Sequence, residues 1–499
     1  MELRQRIVSA PVDFGAIRAE FGLASAYPAE ATAEAHGAID AFAGDRVDRT
    51  DIPFVTIDPP GAMDLDQALH LERTPGGFRV HYAIADVGAV IAPDGALAKE
   101  SGTRGQTLYL PDGTVPLHPY VLAEGSASLL PERTRPVALW SIELDEQAEP
   151  QRFSVVRALV RSRARLDYAG VQSDADTGRL HPSIAALPEF GTRRIAAGLA
   201  RGAIELRLPA QRIVRDDTAD GRWRLVVEPR TAVDDWNEQV SLLTGMCAAR
   251  IMLDGGTQTE QRIVLLRTMP PPAESAVESM RRTAHALGVA WPAEEAVGRM
   301  LARLNPNTPA TLVLMSEATS LLRGTSYTVA DDATGELPAA EALRHSAIGA
   351  PYAHVTAPLR RLADRFATEI CLARCAGTEV PRWVRRGLTD AVDTMRRSDG
   401  IAGKLERACI DLTESTLLAP RTGAEFDAVV VREANGNRPA EIFIADPPVL
   451  APCEGEPPEG AAVRVTLTSA DPTIRKVMFA YSPGQIRGSA QDFGQLEPG

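Results

Sequence analysis

The 499-residue sequence has few cysteines, no long apolar run and no excess of positive charge. Five cysteines, Cys247, Cys371, Cys375, Cys409 and Cys453, are scattered along the chain. Only Cys371 and Cys375 lie close, one helical turn apart, and no second Cys/His pair stands at zinc spacing, so reduced thiols are expected rather than a disulfide scaffold or zinc module. No stretch of about 18 apolar residues is present to span a bilayer. The opening MELRQRIVSAPVDFGAIRAEF also lacks the apolar block of a secretory signal, so a cytoplasmic location without membrane association is expected. No internal period stands out. A net charge of −13 argues against a protein that coats nucleic acid through a broad basic surface. Charge can be segregated, however, and arginine is dense in VVRALVRSRARLDY (155–168), APLRRLADR (357–365) and PRWVRRGL (381–388). A narrow basic channel for one strand needs only such local charge.

What is present is ordinary globular composition, 44% hydrophobic and 24% charged, in a chain long enough for about two to four domains. Residues 1–48 read as an Ala-rich helical extension. From Phe54 the pattern turns to strand: FVTID (54–58), a Pro-Pro-Gly turn, DLDQALHLER, a second turn at 74–77, and the returning strand FRVHYAIADVGAVI. Residues 187–204, 234–253, 274–305, 338–347 and 358–376 read as helices, and 380–416 as a long helical stretch interrupted near Gly400 and Gly403. LRLPAQRIV and WRLVVEP read as strands between them. After LAPRTG (418–423) about four short β runs suggest a small OB-type barrel over residues 419–485, followed by a flexible tail, 486–499. The expected fold class is α+β, with a mixed-sheet body over residues 49–418.

Three aspartates, Asp58, Asp64 and Asp66, fall within nine residues around the Pro-Pro-Gly turn of TIDPPGAMDLDQAL. Asp64 and Asp66 are two apart and share a face in extended chain, and the turn can swing Asp58 beside them. Aspartate next to proline and glycine also serves plain surface turns. If the three carboxylates do converge, they repel one another until cations neutralise them, and their hard oxygens suit magnesium or manganese. Such ions activate water and stabilise charge in phosphodiester hydrolysis.

TIDPPGAMDLDQAL resembles the signature of the ribonuclease II (RNB) family, an Asp-Pro start followed by Asp-x-Asp-Asp. Four further strings are similar to family segments in the family's order: IADVG (84–88), TLYLPDGTVPLHP (107–119), SRARLDYAGVQ (162–172) and AHVTAPLRRLADR (353–365). The resemblance covers roughly residues 50–415. It implies an RNB catalytic domain followed by an OB-like barrel, in a short form without the N-terminal cold-shock pair, acting as a metal-dependent, processive 3′→5′ exoribonuclease that draws in single-stranded RNA and releases 5′-mononucleotides.

By residue, the resemblance implies that Asp58 and Asp64 hold magnesium against the scissile phosphate and that Asp66 is the aspartate on which cleavage depends most. Tyr109 would stack near the 3′ end and set where digestion stops. Arg360 would grip the phosphate with its permanently charged fork, with Arg361 and Arg163 as further RNA-binding positions. Glu406, in KLERACID, resembles a late Glu-Arg pair and would add a carboxylate near the metal. Asn237 and Glu238 resemble a family helix and are read as structural. His354, alone before a helix, is expected to pack or hydrogen-bond rather than catalyse.

The sequence also departs from the family pattern. Gln67 stands at the fourth acidic position, where its amide carbonyl is expected still to coordinate or position water near the metal, with one negative charge fewer. Met63, Ala83 and Leu362 replace a basic residue, a histidine and a tyrosine usual in the family. These departures motivate an alternative, an RNB-like RNA-binding protein with weakened catalysis. A monomer is expected.

Overall fold

In the computed structural model, residues 9–483 are described apart from residues 25, 207–209, 219–220, 229, 255–261, 306–307, 332–334, 336–337 and 437. The tail expected from about 485 onward lies outside the described residues. Alternation over FVTI and QALHLERT does produce strands, Phe54–Ile57 and Gln67–Thr74, and the turn at 74–77 returns the chain as Gly77–Ala85. Two longer strands that periodicity did not single out, Thr134–Leu144 and Pro150–Leu166, complete the sheet. The second pairs antiparallel with Thr134–Leu144 and parallel with Phe54–Ile57, so the pairing comes full circle. Its alternate residues point into a core of Val55, Leu69, Leu71, Val80, Tyr82, Trp140 and Ile142.

Helices Ala232–Asp254 and Leu362–Ala376 cover that core. All of Leu362 to Ala373 is buried, which makes the second helix the centre of the body and fixes the turn just before it. The expected break near Gly400 and Gly403 does not occur: Arg382–Leu418 is one 37-residue helix. Both glycines face open space, and the opposite face, with Val384, Leu388, Met395, Leu405 and Leu417, stays buried along the whole length. Packing therefore outweighs a helix-propensity deficit of about 1 kcal/mol per glycine. Residues 338–347 also differ from expectation. Only Ala340–Leu343 coils, as a 3-10 turn, because His345 bridges to Ala350 and Met269 instead of continuing the helix. Residues 274–305 divide into helices Glu274–Ala286 and Val297–Ala302.

The N-terminal segment contains the short helices Gly15–Glu20 and Ala29–His36, yet it is stitched into the body rather than appended. Ala10–Pro11 pairs with the strand Arg222–Glu228, and Val47–Asp48 joins the main sheet. Beneath it lies a buried ionic network. Arg46 bonds Asp40 and, at 2.9 Å, Asp86; Arg157 bonds Asp86 and Glu369. The C-terminal region is a closed five-stranded barrel, Glu425–Arg432, Ala440–Ala445, Pro448–Glu454, Ala462–Asp471 and Lys476–Ala480. Its core of Phe426, Ile442, Val465 and Phe479 is continuous with Leu417 and Leu418 at the end of the long helix. The α+β class with a small terminal barrel is thus the observed architecture.

Candidate active site

The acidic segment is shaped by its apolar residues. The Asp58 amide donates to the Leu166 carbonyl at 3.1 Å, which fixes the strand end against the neighbouring strand. Gly61, at φ +83°, lets the chain turn back. Leu65 is fully buried and its amide donates to Ser128 Oγ at 3.0 Å, while Ser128 donates to the Met63 carbonyl at 2.6 Å. Leu65 points into the core between half-buried Asp64 and buried Asp66. Both aspartates precede the strand rather than lying on it, since it begins at Gln67.

Asp66 is 4% exposed. Its Oδ1 accepts the Leu359 amide at 2.7 Å and its Oδ2 lies 3.4 Å from Arg360 Nε. Burial pushes its pKa up to about 8, against the pull of Arg360 and of the Leu359 amide. Asp58 is raised to about 6, again chiefly by burial, and the negative charge of Asp64 adds to the effect. Asp58 Oδ2 is buried without a hydrogen-bond partner. Asp64 Oδ2 faces the Tyr109 hydroxyl at 3.4 Å. Tyr109, 51% exposed on the strand Leu108–Leu110, reaches this position because Thr107 pairs with the Arg360 carbonyl at 3.0 Å and Leu362 with that of Gly105 at 2.8 Å.

The structure separates the two adjacent arginines. Arg360 leaves 42% of its side chain exposed over Asp66, and its charge also reaches Asp58, Tyr109 and Tyr168. Arg361 turns inward to Asp364, with bonds of 3.0 and 2.9 Å, so its guanidinium is not free for RNA as the sequence suggested. Arg163 donates to the Thr50 carbonyl at 2.7 Å. Glu406 is exposed on the long helix, where its charge acts on Cys409 beside Arg18, Asp112 and Arg475, rather than on the aspartates. Gln67 directs its amide into the protein: Oε1 accepts the Tyr82 hydroxyl at 2.5 Å and Nε2 donates to the Thr356 carbonyl at 2.6 Å. His354 is half-buried and bonds the Tyr327 hydroxyl at 2.8 Å, a packing role. Asn237 donates to Tyr168 at 3.1 Å, and Glu238 pairs with Arg230.

Three neighbours of the cluster escaped sequence reasoning. Arg165 is exposed, donates to the Ala62 carbonyl at 3.0 Å and lowers the pKa of Asp58; the string SRARLDY contained it without distinguishing it from Arg163. Tyr168, in the same string, senses Asp58 and Arg360. Glu124 lies within electrostatic reach of Asp64, from a single helical turn at Val121–Ser126 that has no sequence signal.

A hard cation fits this donor set in three respects: carboxylate oxygens, raised proton affinities and an orphaned buried oxygen on Asp58. Among the described residues, however, no group of three His, Cys, Asp or Glu side chains converges tightly enough to enclose an ion by itself. One or two carboxylates completed by water and phosphate is the way magnesium is commonly bound.

The curated Ribonuclease R of Vibrio cholerae is 27% identical over 362 residues, 68% of this chain and 42% of that protein. The chain spans less than half the length of this relative and of Ribonuclease R from Acidithiobacillus ferrooxidans. The solved Mycoplasma genitalium RNase R in complex with ribose methylated single-stranded RNA shares the fold, with a TM-score of 0.81 at 17% identity over 94% of this chain and 77% of that one. Yeast Ssd1, a pseudonuclease, shares it more distantly, with a TM-score of 0.61 at 16% identity over 88% of this chain and 54% of that one. Residues 46–371 match the RNB domain and residues 424–482 the RNase II-type exonuclease C-terminal S1 domain, and the chain therefore belongs to the RNB domain family.

Proposed function

We propose that the chain is a cytoplasmic, monomeric, metal-dependent exoribonuclease that shortens single-stranded RNA processively from its 3′ end and releases 5′-mononucleotides. The observation that carries this reading is that Asp58, Asp64, Asp66 and Arg360 lie within electrostatic reach of one another, with the Tyr109 hydroxyl 3.4 Å from Asp64. Arg360, half-free and permanently charged, would take the scissile phosphate, and Tyr109 would stack the terminal base without regard to its identity. Asp66 would be the carboxylate on which cleavage depends most, oriented by the Leu359 amide. Asp58 and Asp64 would hold a magnesium or manganese ion that, when bound, acidifies a water and neutralises charge on the phosphate. Direction, product and preference for RNA rest on the family resemblance, and on relatives named Ribonuclease R. No described helix is long and apolar enough to cross a membrane.

Retention of three aspartates together with the exposed arginine favours cleavage over RNA binding alone, which has no chemical need for all four. The test is polarity of digestion on one RNA labelled at either end, beside DNA of the same sequence. Immediate release of the 3′ label as a mononucleotide, gradual shortening of the 5′-labelled strand and silence in EDTA are expected. Mid-chain fragments, or a 5′ label released first, would overturn the proposal.

A further inference from the structure

We propose that Gln67 is a positioning residue in this chain: its amide clamps the Thr356–Arg360 turn against the strand behind Asp66, so that the Leu359 amide and the Arg360 guanidinium meet the Asp66 carboxyl. The inference rests on the reading of Asp66 and Arg360 as cleavage residues. Its geometry is independent of that reading.

Asp66 immediately precedes the strand that Gln67 begins. The turn that arrives from residues 356–360 is held by both. Leu359 donates to Asp66 at 2.7 Å, and Gln67 donates to the Thr356 carbonyl at 2.6 Å across 289 residues of chain. A carbonyl only accepts, so this position calls for a side chain with an N–H, which a carboxylate lacks. The other end of the amide is also specified. Tyr82, 2% exposed, donates to Gln67 Oε1 at 2.5 Å, and Ser241 Oγ lies 3.0 Å from the same hydroxyl. Since Tyr82 gives its proton to Gln67, Ser241 gives its own to Tyr82. A directed chain results, from Ser241 through Tyr82 and Gln67 to the backbone of the turn. That order also fixes which end of the amide is oxygen, since the reverse would set two acceptors together at Thr356.

The far side of the turn is closed in the same manner. Ala357 donates to Asp364 at 2.7 Å, and Arg361 spans Asp364 and Thr356 Oγ1, the latter at 3.4 Å. These contacts, with the Thr107 and Gly105 backbone bonds and His118 at the Pro358 carbonyl, hold Leu359 and Arg360 in place, and Gln67 supplies the one from the acidic strand other than Asp66 itself. An aspartate at 67 would be one methylene shorter and would turn a negative oxygen toward the Thr356 carbonyl. Acid chemistry at this position would weaken the clamp.

The test compares wild type, Gln67→Asp and Tyr82→Phe in RNA cleavage, in magnesium binding by calorimetry, and in hydrogen exchange of the 355–362 segment. For Gln67→Asp, kcat is expected to fall roughly 10²-fold, as misplacement by about 1 Å can cause, with KM for RNA changed less than about threefold. Magnesium binding should be no tighter and exchange at Leu359 faster. Tyr82→Phe, which keeps the Thr356 bond, should move kcat and exchange in the same direction by less. If Gln67→Asp does not fold, Gln67→Met, which keeps the length and removes both bonds, takes its place. Gln67→Asp that cleaves as fast as wild type or faster, or that binds magnesium more tightly with exchange unchanged, overturns the proposal. If wild type does not cleave at all, the functional reading fails, whereas exchange and calorimetry still decide on the clamp.

Discussion

Asp66 and Leu359 are joined by a 2.7 Å hydrogen bond from amide to carboxyl across 293 residues of chain. The bond makes the acidic segment and the arginine-bearing turn one object. It also holds the carboxyl in a buried place where its negative charge is poorly solvated.

The first prediction follows from that burial. An acid whose folded pKa is raised costs no stability below its unfolded value, here 3.8, costs progressively more as pH climbs, and carries the whole penalty above its folded value of about 8. In EDTA, Asp66→Asn should lack this loss and melt above wild type at pH 8.5, by about 1–3 kcal/mol given ~1.4 kcal/mol per pKa unit and partial relaxation. The gap should close at pH 4 and narrow when magnesium is added. Thermal melts at the two pH values check this. A less stable variant at pH 8.5 would count against it.

Arg360 and Arg361 should fail in different ways. Arg360→Ala is expected to lose roughly 10²-fold in kcat/KM through the missing charge-assisted contact to phosphate, while its melting temperature in EDTA holds at pH 5, where Asp66 is protonated and does not need the cation. Arg361→Ala leaves the fully buried carboxyl of Asp364 without its cation and should destabilise the fold by about 3 kcal/mol. Denaturant unfolding beside kinetics separates the two.

Tyr109→Phe keeps the ring and removes only a long contact to Asp64, so digestion should change little. Tyr109→Ala removes a stacking surface worth about 1–3 kcal/mol per base. KM should rise and digestion should stop at longer end products, as read on a sequencing gel. Identical end products from all three proteins would refute the stacking role.

The buried network that binds the N-terminal segment is a stability element. Arg157→Ala strands Glu369 in the interior and leaves Asp86 with Arg46 alone, and should cost about 3 kcal/mol, with the activity of folded molecules retained. Chemical denaturation together with activity per folded fraction tests it.

Much of the site was legible because its chemistry is local. Asp58, Asp64 and Asp66 flank one turn and lie within electrostatic reach of one another, although the strand on which their spacing was read begins only at Gln67. The division of labour between Arg360 and Arg361 was not legible, because it depends on which one meets Asp364 after the turn closes. Nor was the role of Gln67, whose partners Tyr82 and Thr356 come from a neighbouring strand and from a turn 289 residues away. Among the secondary elements, strands with tight alternation were visible. The unbroken helix Arg382–Leu418 was not, since Gly400 and Gly403 signal a break that packing on the opposite face overrides. The strand Pro150–Leu166 hid behind its arginines, of which Arg152 and Arg165 are exposed while Arg157 turns into the buried network.

The central claim is that the Asp66 carboxyl serves phosphodiester cleavage in RNA. Its most direct test is digestion of a 5′-labelled single-stranded RNA over a magnesium titration by wild type and Asp66→Asn, with RNA binding measured in parallel. Metal-dependent shortening from the 3′ end by wild type is expected, with its loss in Asp66→Asn while binding persists. Binding without shortening by wild type at any magnesium concentration, or shortening by Asp66→Asn at the wild-type rate, would contradict it.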